Sequence, residues 1–171
     1  GMETVTVNGG NTLTQSDIIG DPTPVDELRI EDGTTLDSNA AINANDGITI
    51  GENAILKSGM AGSTFDADIT GDGGTGTLTA AEDMTLNANA TDLDTIETDG
   101  GDLTYDTAGL SETLDVWAEN LQFSQDDTMT FDTVDQDTNV QDAITSVNGN
   151  EGTVEVLGNN TATYEGALGT E

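Results

Sequence analysis

The chain has 171 residues, of which 34 are acidic and 2 are basic, so its formal net charge at pH 7 is −32. A polyanion of this kind repels nucleic acids and anionic lipid headgroups, which excludes nucleic-acid binding by any ordinary electrostatic route. Because the Debye length shortens from about 10 Å at 0.1 M salt to about 3 Å at 1 M, we expect concentrated salt or bound divalent cations to favour the compact state.

The composition favours a folded β protein over a disordered acidic tail. Apolar residues make up 33 % of the chain, and only two prolines occur, Pro22 and Pro24. Threonine and the β-branched aliphatic residues favour strands, whereas glycine, asparagine and aspartate favour turns. The chain has no cysteine, so disulfides do not indicate its compartment, and no apolar run approaches the about 20 residues that span a bilayer. From the composition rich in threonine, asparagine, glycine and aspartate we predict an extracellular protein that does not insert into membranes.

Residues 1–25 form the first predicted unit. Residues 4–7 alternate as in a strand, and the alternation ends at Gly9-Gly10. The segment is either a capping strand on the first turn of the fold or an arm that adds a strand to the open edge of a neighbouring subunit. The candidate residues for such self-assembly are Thr4, Val5, Thr6 and Val7.

Residues 26–137 carry a repeat of about nineteen residues. Short apolar-x-apolar segments recur there in two interleaved series, with separations of 17 to 23 residues. The first series begins at Leu28, Ile48, Ala67, Met84, Leu103 and Leu121, and the second passes through Leu36, Ile55, Leu78, Ile96, Leu114 and Phe131. Period-two alternation combined with such a repeat predicts an all-β parallel β-helix, a solenoid with two or three short strands per turn.

A β-sandwich with a strand roughly every 8–12 residues is the alternative architecture. The solenoid would stack its strands in parallel at about 4.8 Å and pile the inward aliphatic side chains into a narrow core. The three phenylalanines, two tyrosines and one tryptophan of the chain suit such a thin core.

Two stretches carry a resemblance to known repeats. Residues 72–89, with the sequence DGGTGTLTAAEDMTLNAN, and residues 100–109, with the sequence GGDLTYDTAG, resemble the repeats of filamentous-haemagglutinin and autotransporter passenger domains. The resemblance implies a right-handed parallel β-helix of the kind found on secreted adhesins. The chain departs from those families in its small size and its near absence of basic residues.

Residues 138–171 are predicted to form a C-terminal cap with one short helix and a strand. Val140, Ala143, Ile144 and Val147 fall at helical spacing, which predicts a helix over residues 138–149 that ends at Gly149. Residues 146–156, which begin with the sequence SVNG, also resemble a short motif of phage tail fibres.

The residue types exclude most enzyme chemistry. Without histidine or cysteine, the chain cannot form Ser-His-Asp or Cys-His arrangements or the usual zinc sites. Paired carboxylates such as Asp66 with Asp68, or Asp92 with Asp94, remain as candidates for polysaccharide hydrolysis. Because close acidic pairs are expected by chance in so acidic a chain, we predict that the protein is not an enzyme.

Calcium is the ligand that the composition best supports. Hard divalent ions take carboxylate, amide and backbone oxygens, and several predicted turns bring such oxygens together. The candidate calcium ligands are Asp46, Asp72, Asp99, Asp102, Asp135 and Asp137. The alternative is a solvated acidic surface adapted to salt, without specific sites. Two sequons, at Asn89 and Asn159, would accept glycans on a secreted protein.

Taken together, the repeat and the missing catalytic residue types predict an extracellular structural protein that assembles with its own copies into a filament, fibre or surface layer. The alternative is an adhesin or a viral tail-fibre module that binds a host-surface receptor. Self-assembly predicts apolar or strand-edge surface at the ends of the rod. Host binding predicts a lateral patch instead, around Trp117, Tyr105 or Phe123.

Overall fold

The computed structural model describes residues 3–147 and 152–169, which contain eighteen strands and no helix. The strands are β1 (Thr4–Val7), β2 (Thr12–Gln15), β3 (Val25–Ile30), β4 (Thr35–Ser38), β5 (Ala44–Ile50), β6 (Ile55–Ser58), β7 (Ser63–Phe65), β8 (Ile69–Gly71), β9 (Thr77–Ala80), β10 (Met84–Leu86), β11 (Ala90–Thr98), β12 (Leu103–Asp106), β13 (Leu114–Phe123), β14 (Thr128–Thr133), β15 (Thr138–Val140), β16 (Ile144–Ser146), β17 (Thr153–Gly158) and β18 (Ala162–Tyr164). Threonine or a β-branched or other apolar residue occupies most strand positions, as expected for a pleated, half-buried surface.

The strands wind into a β-solenoid of about seven turns. Each turn contributes to three faces. The first face contains β1, β3, β5, β8, the start of β11, the start of β13, β15 and β18. The second face contains β2, β4, β6, β9, the end of β11, the end of β13 and β16. The third face contains β7, β10, β12, β14 and β17.

Every described strand pair is parallel, which confirms the predicted parallel β-helix and excludes the sandwich. Cα partners on neighbouring turns are between 18 and 26 residues apart, as in the pairs Thr77–Thr95 and Ala90–Val116. The turns are therefore less uniform than a nineteen-residue repeat, because the loops between faces differ in length.

Three ladders of side chains, one under each face, form the centre of the core, and further buried residues such as Ile30, Ile50 and Leu103 belong to the same cluster. The first ladder contains Val5, Leu28, Ile48, Ile69, Ala90, Val116, Val140 and Tyr164. The second ladder contains Leu13, Leu36, Leu56, Leu78, Ile96, Leu121, Ile144 and Leu168. The third ladder contains Ile19, Ile42, Phe65, Leu86, Tyr105, Phe131 and Val156. All members except the first and last of each ladder are at most 3 % exposed.

The prediction of a helix over residues 138–149 is wrong. Thr138–Val140 forms β15 and Ile144–Ser146 forms β16, and both strands pair with β13. A helical apolar face would bury Val147, which is instead 58 % exposed. Pairing of β-branched residues with the edge of the preceding turn outweighs the local helical spacing. The predicted stop at Gly149 lies outside the described residues.

Candidate functional site

The N-terminal end of the solenoid is an open apolar hollow. Its volume is about 530 Å³, and its lining includes Val5, Leu13, Ile18 and Ile19, with the fully buried Leu36 beneath. Leu13 is 51 % exposed although the next members of its ladder are buried. Among the described strands, β1 pairs only with β3 and β2 only with β4. The first turn therefore presents a bare strand edge and uncovered ladder residues.

The C-terminal end presents the opposite edge of the same architecture. There β18 pairs only with β15, and β17 only with β14, within the part of the chain that the structure describes. The last members of the second and third ladders, Leu168 and Val156, are 57 % and 50 % exposed. Tyr164 ends the first ladder and is partly exposed. Both ends of the rod thus expose apolar side chains that the inner turns bury.

The lateral surface shows little comparable apolar area. Of the residues predicted to form a lateral patch, Tyr105 and Phe123 are buried in the core. Trp117 on β13, Met60 after β6 and Val134 after β14 are 39 %, 47 % and 43 % exposed on inner turns. The exposed apolar residues of the described chain therefore concentrate at the ends of the rod.

Carboxylates at the corners of the solenoid accept hydrogen bonds from backbone N–H groups of adjacent turns. Asp68 Oδ1 accepts from Asn89 N at 3.0 Å, and Asp102 Oδ1 accepts from Thr128 N at 2.7 Å. In the same way, Asp32 accepts from Glu52 N, Asp83 accepts from Asp102 N, and Asp127 accepts from Gly100 N. These acceptors satisfy N–H groups that the parallel ladders leave free where the chain turns. Part of the acidity is therefore structural.

The six candidate calcium ligands are exposed. Asp99 and Asp102 share the loop between β11 and β12, and Asp135 and Asp137 share the loop between β14 and β15. Asp102, Asp135 and Asp137 accept hydrogen bonds from the backbone N–H groups of Thr128, Gly109 and Thr161. Asp72 pairs with Arg29, and Asp99 accepts from the amide of Gln125. Asp46 is exposed on β5. Across residues 3–147 and 152–169, no three acidic side chains come close enough together to hold a metal ion. Calcium binding stays a prediction.

Two candidate acidic residues lie beside a shallow groove. Asp66 and Asp68 line a hollow of about 210 Å³ together with Asn87, Asn89 and Glu112. Asp66 Oδ1 accepts from the Asn87 side chain at 3.2 Å. Asp68 is engaged by Asn89 N as described above, so both carboxylates act as acceptors within the fold. Of the second candidate pair, Asp92 adopts a positive φ of 55° and Asp94 accepts from the Thr95 hydroxyl.

The two sequons differ in their surroundings. Asn89 is half-buried, and its Oδ1 accepts from Asp115 N on the next turn at 2.8 Å. A glycan on Asn89 would have to leave from the groove beside Asp68. Asn159 is exposed directly after β17, near the C-terminal end.

The two basic residues, Arg29 and Lys57, make different contacts. Arg29 binds both Glu31, at 3.1 Å, and Asp72, and its hydrogen bond to Asp72 raises the pKa of the guanidinium. Asp72 follows β8, two turns beyond the β3 strand that carries Arg29, so this side chain ties non-adjacent turns together. Lys57 lies opposite Asp37 and Thr79 in the second face.

The sequence prediction missed the terminal ladder members Leu13, Val156 and Leu168. Their signal was present, because each continues the register of a buried ladder by one further turn. The buried Gln15 was also missed. Its amide donates to the carbonyls of Asp17 and Ala41 and accepts from the Ser38 hydroxyl, which closes the corner beside the N-terminal hollow.

Comparison with known families, with curated proteins and with solved structures finds no match for this chain. In the part of the chain that the structure describes, no helix is long and apolar enough to cross a bilayer.

Proposed function

We propose that the chain is an extracellular structural protein whose solenoids stack end to end into a filament, fibre or layer. The observation that carries the proposal is the uncovered state of all three ladders at both ends of the rod. Leu13 at one end and Leu168 and Val156 at the other are at least 50 % exposed. Repeat proteins that stay monomeric cover their terminal turns with a polar outer face.

A second copy is the occupant that these ends fit best. Each inner turn buries its ladder residues against a neighbouring turn of the same chain, and a second copy offers the same kind of turn. Stacking would bury the apolar side chains and also pair the free strand edges, as in strand addition. The acidic composition, rich in threonine, asparagine, glycine and aspartate, supports an extracellular setting.

The net negative charge of each copy opposes this assembly and determines the ionic conditions under which it can occur. Each copy carries a net charge of −32, and both ends bear exposed acids, including Glu3 and Asp17 at one end and Glu155 and Glu165 at the other. Assembly should therefore require salt that shortens the Debye length to a few ångströms, or divalent cations. Calcium would act in this way even without a dedicated site.

Sedimentation velocity at rising protein concentration tests the proposal with two matched variants. Leu13→Glu adds a negative charge at a 51 % exposed position on the N-terminal end, and Met60→Glu adds one at a 47 % exposed lateral position. We expect the wild type and Met60→Glu to form larger species in high salt and Leu13→Glu to remain monomeric. If both variants lost assembly equally, the added charge alone would explain the effect, and the N-terminal end would be rejected as the contact surface.

Host-surface binding remains the second candidate, and Trp117 is the observation that favours it. Its side chain is 39 % exposed on β13, and large aromatic residues are enriched at the centres of interfaces. Replacing Trp117 by alanine should abolish adhesion of the protein to host surfaces while leaving self-association unchanged. Adhesion that survived the replacement would reject Trp117 as the contact.

A further inference from the structure

The two ends of the solenoid expose different strands, β1 and β2 at one end and β17 and β18 at the other. We infer that copies associate head to tail, with the C-terminal turn of one copy stacked on the N-terminal turn of the next. This inference rests on the proposed end-to-end assembly. It adds the partner surface for each end and the register between them.

The three-faced winding supports this polarity. All strands within a face run in the same direction, and the chain visits the first, second and third faces in a fixed order. A copy stacked head to tail aligns every face with the same face of its neighbour and keeps every new strand pair parallel. A head-to-head contact about a two-fold axis can align at most one face with itself, there antiparallel, and must set the other two faces against each other.

The ladders define the register of the contact. Val140 pairs with Tyr164 on the last turn, and Val5 pairs with Leu28 on the first. Continuing this ladder places Tyr164 of one copy beside Val5 of the next, so β18 pairs with β1. In the second ladder, Leu168 is placed beside Leu13, and the two are the most exposed residues of that ladder.

Among the described residues, the third ladder is one member shorter than the other two. It ends at Val156, one turn before the level of Tyr164 and Leu168, so the stacking that joins the first two ladders leaves a gap of one strand between Val156 and Ile19. The head-to-tail contact therefore rests on the first and second faces. Such a contact joins two different surfaces and does not close on itself, so it generates an open filament instead of a dimer.

A mixing experiment with two end variants tests the polarity. Leu13→Glu blocks the N-terminal end and leaves the C-terminal end intact, whereas Leu168→Glu does the reverse. Both positions are more than half exposed, so the substitutions should leave the fold intact, and thermal melting of each variant checks this. Sedimentation in high salt is then recorded for the wild type, for each variant alone and for an equimolar mixture.

Head-to-tail association predicts that the wild type forms long species, that each variant alone is monomeric, and that the mixture forms a dimer and nothing larger. In that dimer the intact C-terminal end of Leu13→Glu binds the intact N-terminal end of Leu168→Glu. Dimers of each variant alone would overturn the polarity, since they would show head-to-head contacts. Long species from each variant alone would also overturn it. A wild type that stays monomeric would instead reject the proposed function itself.

Discussion

Tyr105 and Phe131 stack face to face across adjacent turns of the third face, with ring centroids 4.9 Å apart and ring planes within 5° of parallel. The separation equals the spacing of neighbouring strands, so the two rings follow the parallel ladder without tilting. Tyr164 contacts Phe131 edge-on, with ring centroids 5.5 Å apart. These three rings form the one aromatic cluster of the described core, close to the C-terminal end of the rod.

The hydroxyl of Tyr105 has no hydrogen-bond partner within the described residues, although the side chain is fully buried. An unpaired buried polar group costs about 1–3 kcal/mol. Replacing Tyr105 by phenylalanine keeps the stack and removes the hydroxyl, so the free energy of unfolding should rise by about 1 kcal/mol in urea denaturation. The control Tyr105→Leu also removes the ring stack, so it should lower the free energy of unfolding. A loss of stability in Tyr105→Phe would show that the hydroxyl has a partner.

The tyrosines should make the protein sensitive to alkali. Burial raises the pKa of Tyr164 to about 12 and raises the pKa of Tyr105 further. A free tyrosine has a pKa near 10. Because the folded state favours the neutral phenols, their contribution to stability is complete below about pH 10 and is lost as pH rises through the folded-state values.

Tyrosinate absorbance measures this directly, since the chain has only these two tyrosines. In Tyr105→Phe the remaining Tyr164 should titrate near pH 12 while the protein is folded, and in concentrated urea near pH 10. A native midpoint that matched the urea midpoint would contradict the burial of Tyr164.

The corner carboxylates should contribute to stability through their backbone hydrogen bonds. Asp102→Ala removes the acceptor for Thr128 N and should lower the free energy of unfolding by about 1 kcal/mol, whereas Asp102→Asn keeps an acceptor and should retain most of it. Asp46→Ala is the matched control, because Asp46 is exposed and its loss only reduces the net charge. If Asp46→Ala were as destabilising as Asp102→Ala, the role of the corner bonds would be rejected.

Ionic conditions should separate specific calcium binding from general screening. Calcium binding by the candidate ligands predicts a melting temperature that falls when calcium is chelated, whereas general screening predicts one that follows ionic strength alone. Melting curves with calcium and with a chelator, at constant ionic strength, check this. A melting temperature that fell on chelation would establish a specific site, and Asp72, Asp99 and Asp135 would be the first residues to replace.

Arg29 should contribute more to the free energy of unfolding than Lys57, the other basic residue. Arg29→Gln removes the bonds to Glu31 and Asp72, whereas Lys57→Gln removes the same charge from a residue without an ion pair among those the structure describes. Since Arg29 is partly exposed, its additional effect should be about 0.5–1 kcal/mol at low salt and should shrink at high salt. Equal effects of the two variants in urea denaturation would show that only net charge matters.

The architecture was predictable because the inward aliphatic residues recur at each turn. Leu36, Leu78 and Ile96 were placed in one series, and they do belong to one ladder. The same series continued through Leu114 and Phe131, which lie on the first and third faces instead. Corner loops of different length shift the register between turns, and a constant repeat cannot follow such shifts.

The candidate functional surfaces were harder to predict than the fold. Residues 4–7 were identified as a possible assembly strand, and they form β1 at the open N-terminal edge. Leu13 and Leu168 were overlooked, because the sequence pattern predicts a buried residue at every aliphatic ladder position. The pattern does not show whether another turn covers that position. The helix over residues 138–149 failed for a related reason: Val140 and Ile144 are buried at a spacing that a strand, a corner and a second strand also produce.

Negative-stain electron microscopy of the wild-type protein at low salt and at about 1 M NaCl, where the Debye length is about 3 Å, tests end-to-end assembly most directly. We expect separate short rods at low salt and unbranched filaments one solenoid wide at high salt, with Leu13→Glu remaining as short rods in both. Calcium should lower the amount of salt required. Monodisperse single rods of the wild type under all these conditions would contradict the account.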